Sequence, residues 1–254
     1  MVTSTPRAAQ RPAAALRQVS VMPSPSERTA VEFYERLGPA GLAARTRPEW
    51  DAEIVSRIRE QLRPGARILD LGCGYGRIAL PLARSGHAIV GLDLSETLLQ
   101  EGRRDSQERA LPVGWVRATM TSLPIADGCF DVVLCLWTAF FELLERQEQV
   151  SALAEVVRVL CPGGWALLEG PVFQEPTESE LSSGQRFGPR NRLLRFEVDG
   201  AENRLFCHDE WSLRDVAREA GITQPTVYTG PWAGRERLFL RFERHGKGGV
   251  SANR

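Results

Sequence analysis

Residues 69–77 read Leu69-Asp70-Leu71-Gly72-Cys73-Gly74-Tyr75-Gly76-Arg77. Three alternating glycines follow an apolar run, Ala66 to Leu71, that reads as a buried strand. Gly72 to Gly76 predicts a turn, and Arg77 to Ser85, ended by Gly86, predicts a helix. Glycine permits a tight turn with positive φ and puts no Cβ in a ligand's way. A helix N-terminus adds unpaired N–H groups. A second strand, His87 to Asp93, closes on a carboxylate. In a doubly wound sheet that carboxylate faces the same crevice and can accept from two ribose hydroxyls. Turn and acid together predict a nucleoside site.

Outward from this stretch, Ser95 predicts the cap of a helix running to Ala110, and Val113 to Ala118 a third strand. Phe130 to Leu136 is a fourth strand, apolar enough to be buried on both faces. Helical period from Gln147 to Leu160 leads through Pro162-Gly163-Gly164 into a fifth strand, Trp165 to Glu169. Strands alternating with helices predict an α/β fold with a doubly wound, mostly parallel sheet. Two N-terminal helices, Thr29 to Leu37 and Trp50 to Leu62, precede it. After strand five, Leu193 to Val198 and Asn203 to His208 flank Asp199-Gly200, the signal of a small β-hairpin insertion. Asp209 caps a helix to Ala220, ended by Gly221, and Pro225 to Thr229 and Arg237 to Phe242 are the last strands.

This divides the chain into a disordered tail (1–26), one domain (27–244) with an acceptor-side insertion around 173–208, and a flexible tail (245–254). The first 26 residues carry Arg and no acid, so an organellar transit peptide is the alternative to a disordered tail. Pro6, Pro12, Pro23 and Pro25 interrupt the amphipathic helix such a peptide needs, and Met22 is an alternative start.

Lys plus Arg equal Asp plus Glu, 32 each, which leaves no electrostatic footprint for nucleic acid or an anionic membrane. No apolar run reaches the length of a membrane span. The five cysteines form no C-x-x-C pair, which argues against a zinc site or a disulfide framework and for free thiols in the cytoplasm. The oligomeric state stays open.

The dinucleotide fingerprint is G-x-G-x-x-G, whereas the spacing here is G-x-G-x-G. LDLGCGYGR, HAIVGLDLS, DGCFDVVLCLW and RVLCPGGWALLE, in this order, resemble the class I S-adenosylmethionine-dependent methyltransferases, which have a Rossmann-like fold. The resemblance implies S-adenosyl-L-methionine as cofactor. It puts Asp70 and Gly72 against the methionine part, counts Cys73, between Gly72 and Gly74, as cofactor-binding, and leaves room at Gly74 for ribose and amino acid. Asp93 would hold the ribose hydroxyls, Leu94 the adenine face, and the Leu136 carbonyl the methionine ammonium. Asp131 matches a structural acid. Relatives often carry Gly-Asp-Met after the third strand, where the Asp accepts from the adenine amino group. This chain has Ala118-Thr119-Met120, so Thr119 and the Met120 backbone are expected to take that part.

Methyl transfer from a sulfonium is an in-line displacement, so alignment and exclusion of water dominate. A base helps when the acceptor is a hydroxyl or a protonated amine. Trp137, Phe140 and Phe141, just past the fourth strand, suggest an apolar acceptor pocket, with core packing the alternative for each Phe. Tyr34 and Trp50 could form a lid or pack in the core. Leu136-Trp137-Thr138-Ala139 stands where nucleobase and glutamine enzymes of this fold typically carry Asn-Pro-Pro-Tyr, which argues against those substrates. Glu142 is the nearest acid to a magnesium site of the catechol type and has no evident partner, so no metal is expected. Of three histidines, His208 is the candidate base, with a cap or wall role as its alternative. Arg186, Arg190, Arg192 and Arg195 form either an anion site or a solvated face. The expectation is O- or N-methylation of a small-molecule acceptor. A cofactor-binding protein without transferase activity and an NAD-dependent oxidoreductase are the alternatives.

Overall fold

The computed structural model describes residues 22–173 and 192–246. In chain order the elements are α1 (Pro25–Ala43), α2 (Pro48–Arg59), β1 (Arg67–Leu71), α3 (Ala79–Arg84), β2 (Ala88–Asp93), α4 (Glu96–Glu108), β3 (Val113–Arg117) and β4 (Phe130–Cys135). They continue with a 3-10 turn (Ala139–Glu142), α5 (Arg146–Val159), β5 (Leu160–Pro171), β6 (Leu193–Val198), β7 (Ala201–Phe206), α6 (Glu210–Glu219), β8 (Thr226–Trp232) and β9 (Arg235–Glu243).

Seven strands form one sheet in the order β3-β2-β1-β4-β5-β9-β8. The pairs among β1 to β5 are parallel, and β9 runs antiparallel to both β5 and β8. The parallel strands alternate between two cores. Leu69, Leu71, Val90, Leu92, Val133 and Cys135 face one side, with Leu153 and Val156 of α5 and Leu213 and Val216 of α6. Ile68, Ile89, Val132 and Leu134 face the other, with Ile54 and Ile58 of α2 and Ala79 and Leu82 of α3. Burial of both faces is why these strands read as continuous apolar runs rather than alternating ones. The strand order reverses at β1, between β2 and β4, which opens a crevice at the carboxyl ends.

Three expectations shift. β5 begins at Leu160 rather than Trp165, because Leu160 already pairs with Phe130 before the register slips. α1 begins at Pro25, not Thr29: the Ser24 side chain accepts from Glu27 N–H, and the Glu27 carboxylate accepts from Ser24 N–H. This capping box makes residues 24–26 part of the folded unit rather than of a tail. α1 also runs past Leu37, with a break at Gly38, where φ is 64°. The rest of the N-terminal tail (1–21), residues 174–191 of the insertion and residues 247–254 lie outside the described residues.

The hairpin forms around Asp199-Gly200 as expected, but its second strand is Ala201–Phe206 rather than Asn203 to His208: Val198 pairs with Ala201, and Asp199 and Gly200 both have positive φ (51° and 73°). Two such residues suit the turn that follows strand twist. The hairpin is anchored to α1. Arg36 donates to the Gly200 carbonyl at 3.0 Å, Arg45 to Asp199 at 3.2 Å, and Phe33 meets Phe196 edge to face at 5.5 Å. Among the described residues no helix is long and apolar enough to cross a membrane.

Candidate functional site

A cavity of about 330 Å³ opens at the carboxyl ends of β1, β2 and β4, with α1 and the hairpin contributing further walls. It is lined by Asp70, Gly72, Cys73, Gly74, Asp93, Leu94, Met120 and Leu136, and by Tyr34, Trp50 and Trp137. Four residues named from sequence do not line it: Thr119, Phe140, Phe141 and His208.

The glycine turn and Asp93 are one unit. Gly74 N–H donates to Asp93 Oδ2 at 2.8 Å, and Ser95 N–H to Oδ1 at 2.9 Å. Each oxygen keeps acceptor capacity for a hydroxyl. Burial raises the Asp93 pKa, and the N–H donors oppose that shift. Beside it, burial and the Asp93 charge push Asp70 up to about 7. Gly72 is required for another reason than ligand approach. A Cβ there would sit 2.3 Å from the Ala139 Cβ, so this glycine lets the turn after β4 close against the turn after β1. At Gly74, with φ 54°, the nearest atom to such a Cβ is 3.6 Å away, so only Gly74 leaves the open approach that sequence assigned to the whole turn.

Thr119 is a correction. It is 2% exposed, and its hydroxyl is held between Glu27 Oε1 and Thr121 Oγ1. Met120 N–H also donates to Glu27 Oε1, at 3.3 Å. Glu27 lines the cavity. The carboxylate that β3's own loop lacks is therefore brought to the same edge by α1. The sequence signal for it was the Ser24-x-x-Glu27 capping pattern, hidden by the assignment of residues 24–26 to a tail.

Phe140 and Phe141 are also corrected. They are at most 1% exposed and belong to the core. Trp137, by contrast, remains at the cavity with φ 56°, followed by Thr138 at 75°. Its backbone N–H donates to Glu169 Oε2 at 2.8 Å, which pins this left-handed turn. Trp50 lies 6.2 Å from the Trp137 ring, on the same cavity wall.

His208 is the third correction. It is 1% exposed, with Nδ1 3.0 Å from Ser212 Oγ and Phe140, Phe141 and Phe206 around the ring. Burial lowers its pKa to about 3. A ring enclosed by core phenylalanines, away from the cavity, cannot collect a proton there.

Glu142 is a buried carboxylate that does stand on the cavity wall. It is 8% exposed, lines the cavity, and accepts at Oε1 from Tyr34 Oη and from Asn203 Nδ2, each at 2.8 Å. Burial pushes its pKa up to about 8, against the two donors. Sequence named Glu142 only as an isolated acid, because its partners come from α1 and β7.

The cationic groups also differ from expectation. Arg186 and Arg190 lie outside the described residues. Arg192 is bound to Asp209 and Ser212, and Arg195 is exposed on β6. The arginines that line the cavity are Arg45, Arg77, Arg235 and Arg237. Arg77 lies 4.5 Å over the Trp137 ring and 3.6 Å from Asp51. Asp131, read as structural, binds Arg63 and Arg67 at the opposite end of β4, where burial raises its pKa but the Arg67 hydrogen bonds outweigh that and hold the carboxyl well below the usual range.

Residues 68–164 match the family model described as a methyltransferase domain. A demethylmenaquinone methyltransferase of Renibacterium salmoninarum is 39% identical over 114 residues, 45% of this chain and 44% of that protein. A ubiquinone biosynthesis O-methyltransferase of a Methylobacterium species is 30% identical over 151 residues, 54% of this chain and 57% of that protein. The chain thus spans roughly half the length of these curated relatives. In fold it is similar to the Burkholderia thailandensis 1,6-didemethyltoxoflavin-N1-methyltransferase, whose structure holds S-adenosylhomocysteine. The TM-score is 0.64 at 19% identity, over 91% of this chain and 94% of that one.

Proposed function

We propose that this chain, which carries a class I S-adenosylmethionine-dependent methyltransferase domain, transfers a methyl group to a hydroxyl or amine of a small molecule. The observation that carries the reading is the Asp93 carboxylate, bound to the glycine turn and facing the cavity that Glu142 also lines. The names of relatives acting in menaquinone, ubiquinone and toxoflavin chemistry support a small-molecule acceptor. The equal counts of acidic and basic residues support one that is not a nucleic acid, and the free thiols support a reducing, cytoplasmic setting.

The residues present fit the cofactor. Asp93 accepts from the ribose hydroxyls, and Gly74 leaves their approach open. Glu27, with Met120, meets the adenine edge and supplies the acceptor that Thr119 does not. Asp70 favours the methionine ammonium, and the Leu136 carbonyl shares it. Arg77, the first residue after the glycine turn, would bind the methionine carboxylate. When bound, the cofactor supplies a methyl group on a positively charged sulfur, whose C–S electron pair stays on sulfur as a neutral thioether when the acceptor takes the methyl. Trp50, Trp137 and Tyr34 exclude water. Glu142 Oε2 receives the acceptor's proton, while Tyr34 and Asn203 hold Oε1.

Differential scanning with S-adenosylhomocysteine against NADH tests the cofactor: a rise in melting temperature with the first alone is expected. Release of S-adenosylhomocysteine with phenol and amine acceptors then separates a transferase from a protein that only binds. Stabilisation by NADH alone would overturn the reading.

A further inference from the structure

Three buried N–H donors on the cavity wall have no partner among the described residues: Arg77 Nη1, Trp137 Nε1 and Arg237 Nη2. They are connected. Arg77 stacks on the Trp137 ring, the Trp137 backbone N–H donates to Glu169 Oε2, and Glu169 Oε1 accepts from Arg237 Nε. An unmet buried donor is costly, and a guanidinium more so. Arg77 has the Asp51 carboxylate 3.6 Å away, so the unused guanidinium N–H that most favours an anion is that of Arg237.

The cofactor brings one carboxylate, and Arg77 adjoins the glycine turn that would hold it. Arg237 is set apart. It stands on β9, three strands beyond β1, opposite Pro171 at the far end of β5. It is 8% exposed, and its one carboxylate partner, Glu169, is already shared with Trp137. A cation kept this dry with an unused N–H fits a ligand that brings its own negative charge. The aromatic rings of Tyr34, Phe33, Phe196 and Trp137 on the same cavity fit a planar apolar body.

We infer that the acceptor is an aromatic or similarly flat molecule bearing a carboxylate, and that Arg237 binds this carboxylate and so selects the substrate. The inference rests on the methyltransferase reading, which assigns the cofactor to the β1–β2 side of the cavity and leaves the β5–β9 side for the acceptor. It would orient the acceptor from one end while Glu142 meets the methylated group.

The test needs no known acceptor. Benzoate and benzamide, equal in shape and differing in charge, are titrated calorimetrically into the full chain saturated with S-adenosylhomocysteine. Wild type should bind benzoate at least about tenfold more tightly, the range expected of a charged hydrogen bond. Arg237→Gln should remove that preference with S-adenosylhomocysteine affinity unchanged. Because Arg237→Gln strips Glu169 of its cation and could unfold the chain, Arg237→Lys is the second variant. It keeps a charge beside Glu169, loses the planar fork, and should bind benzoate more weakly than wild type. Benzoate bound no better than benzamide by wild type, or a preference that survives in both variants, overturns the inference. Failure of wild type to bind S-adenosylhomocysteine would instead overturn the underlying function.

Discussion

Tyr34 Oη donates to Glu142 Oε1 at 2.8 Å and thereby joins α1 to the turn behind β4. Asn203 of β7 donates to the same oxygen. Three elements far apart in sequence therefore converge on one buried carboxylate, and among the described residues its second oxygen takes no hydrogen bond. This buried carboxylate of the cavity is assembled by tertiary contacts.

If Glu142 works as the base, turnover rises with pH through about 8, where the carboxyl loses its proton. Glu142→Gln should lower turnover roughly a hundredfold and remove that rise, read as S-adenosylhomocysteine release across the pH range. Stability runs the other way. The folded pKa lies above the unfolded value, so the group's contribution is complete below pH about 4.5 and is lost as pH climbs through about 8. Gln can accept both donors without ionising, so Glu142→Gln should melt higher than wild type at alkaline pH. Unchanged turnover and an unchanged melting profile would remove Glu142 from the mechanism.

A carboxylate at position 119 tests the assignment of Glu27. Family pattern alone would have Thr119→Asp keep or improve cofactor affinity. In this structure the new carboxylate would stand against Glu27 Oε1, so like-charge repulsion should destabilise the fold by about 1–3 kcal/mol and weaken S-adenosylhomocysteine binding. Thermal melting and calorimetry decide it. A stable variant with tighter binding would show that Thr119 itself serves the adenine.

Asp93 holds the glycine turn, and the proposed function adds the ribose. Asp93→Ala should weaken S-adenosylhomocysteine roughly tenfold to a hundredfold. It should also lower stability, because Gly74 N–H and Ser95 N–H lose their acceptor. Calorimetry and melting of the same variant report both effects, and unchanged affinity would separate Asp93 from the ribose.

His208 should prove catalytically silent. Substitution by Phe, which suits its three aromatic neighbours, should change turnover only a few-fold and leave its pH profile in place. Burial depresses the folded pKa to about 3, so the neutral ring's contribution is complete above pH about 6.5 and is lost as the pH falls toward 3. His208→Phe should flatten that acid-side loss in a melting series. A hundredfold drop in turnover with an altered pH profile would return His208 to the chemistry.

The sheet was legible because its determinants are local. Apolar runs, glycine turns and the Ser95 and Asp209 caps mark elements within a few residues, and Asp199-Gly200 marks the hairpin in the same way. The crevice at the carboxyl ends of β1 and β2 was legible for the same reason: Asp70, Gly74 and Asp93 lie at strand ends whose order follows from the alternation of strand and helix. Phe140 and Phe141 were ambiguous, because an aromatic after a strand reads alike whether it faces a cavity or the core, and only the packing of the 3-10 turn turned them inward. His208 and Thr119 were misread because residue type and chain position do not report burial. Glu27, Glu142 and Arg237 owe their roles to α1, the hairpin and β9 meeting at one edge. Sequence by itself determined the strands, the turns and the end of the crevice beside the glycine turn, since these depend on neighbouring residues. Tertiary structure alone decided which charges face the cavity, because burial and pairing across more than 60 residues of chain set both their partners and their protonation.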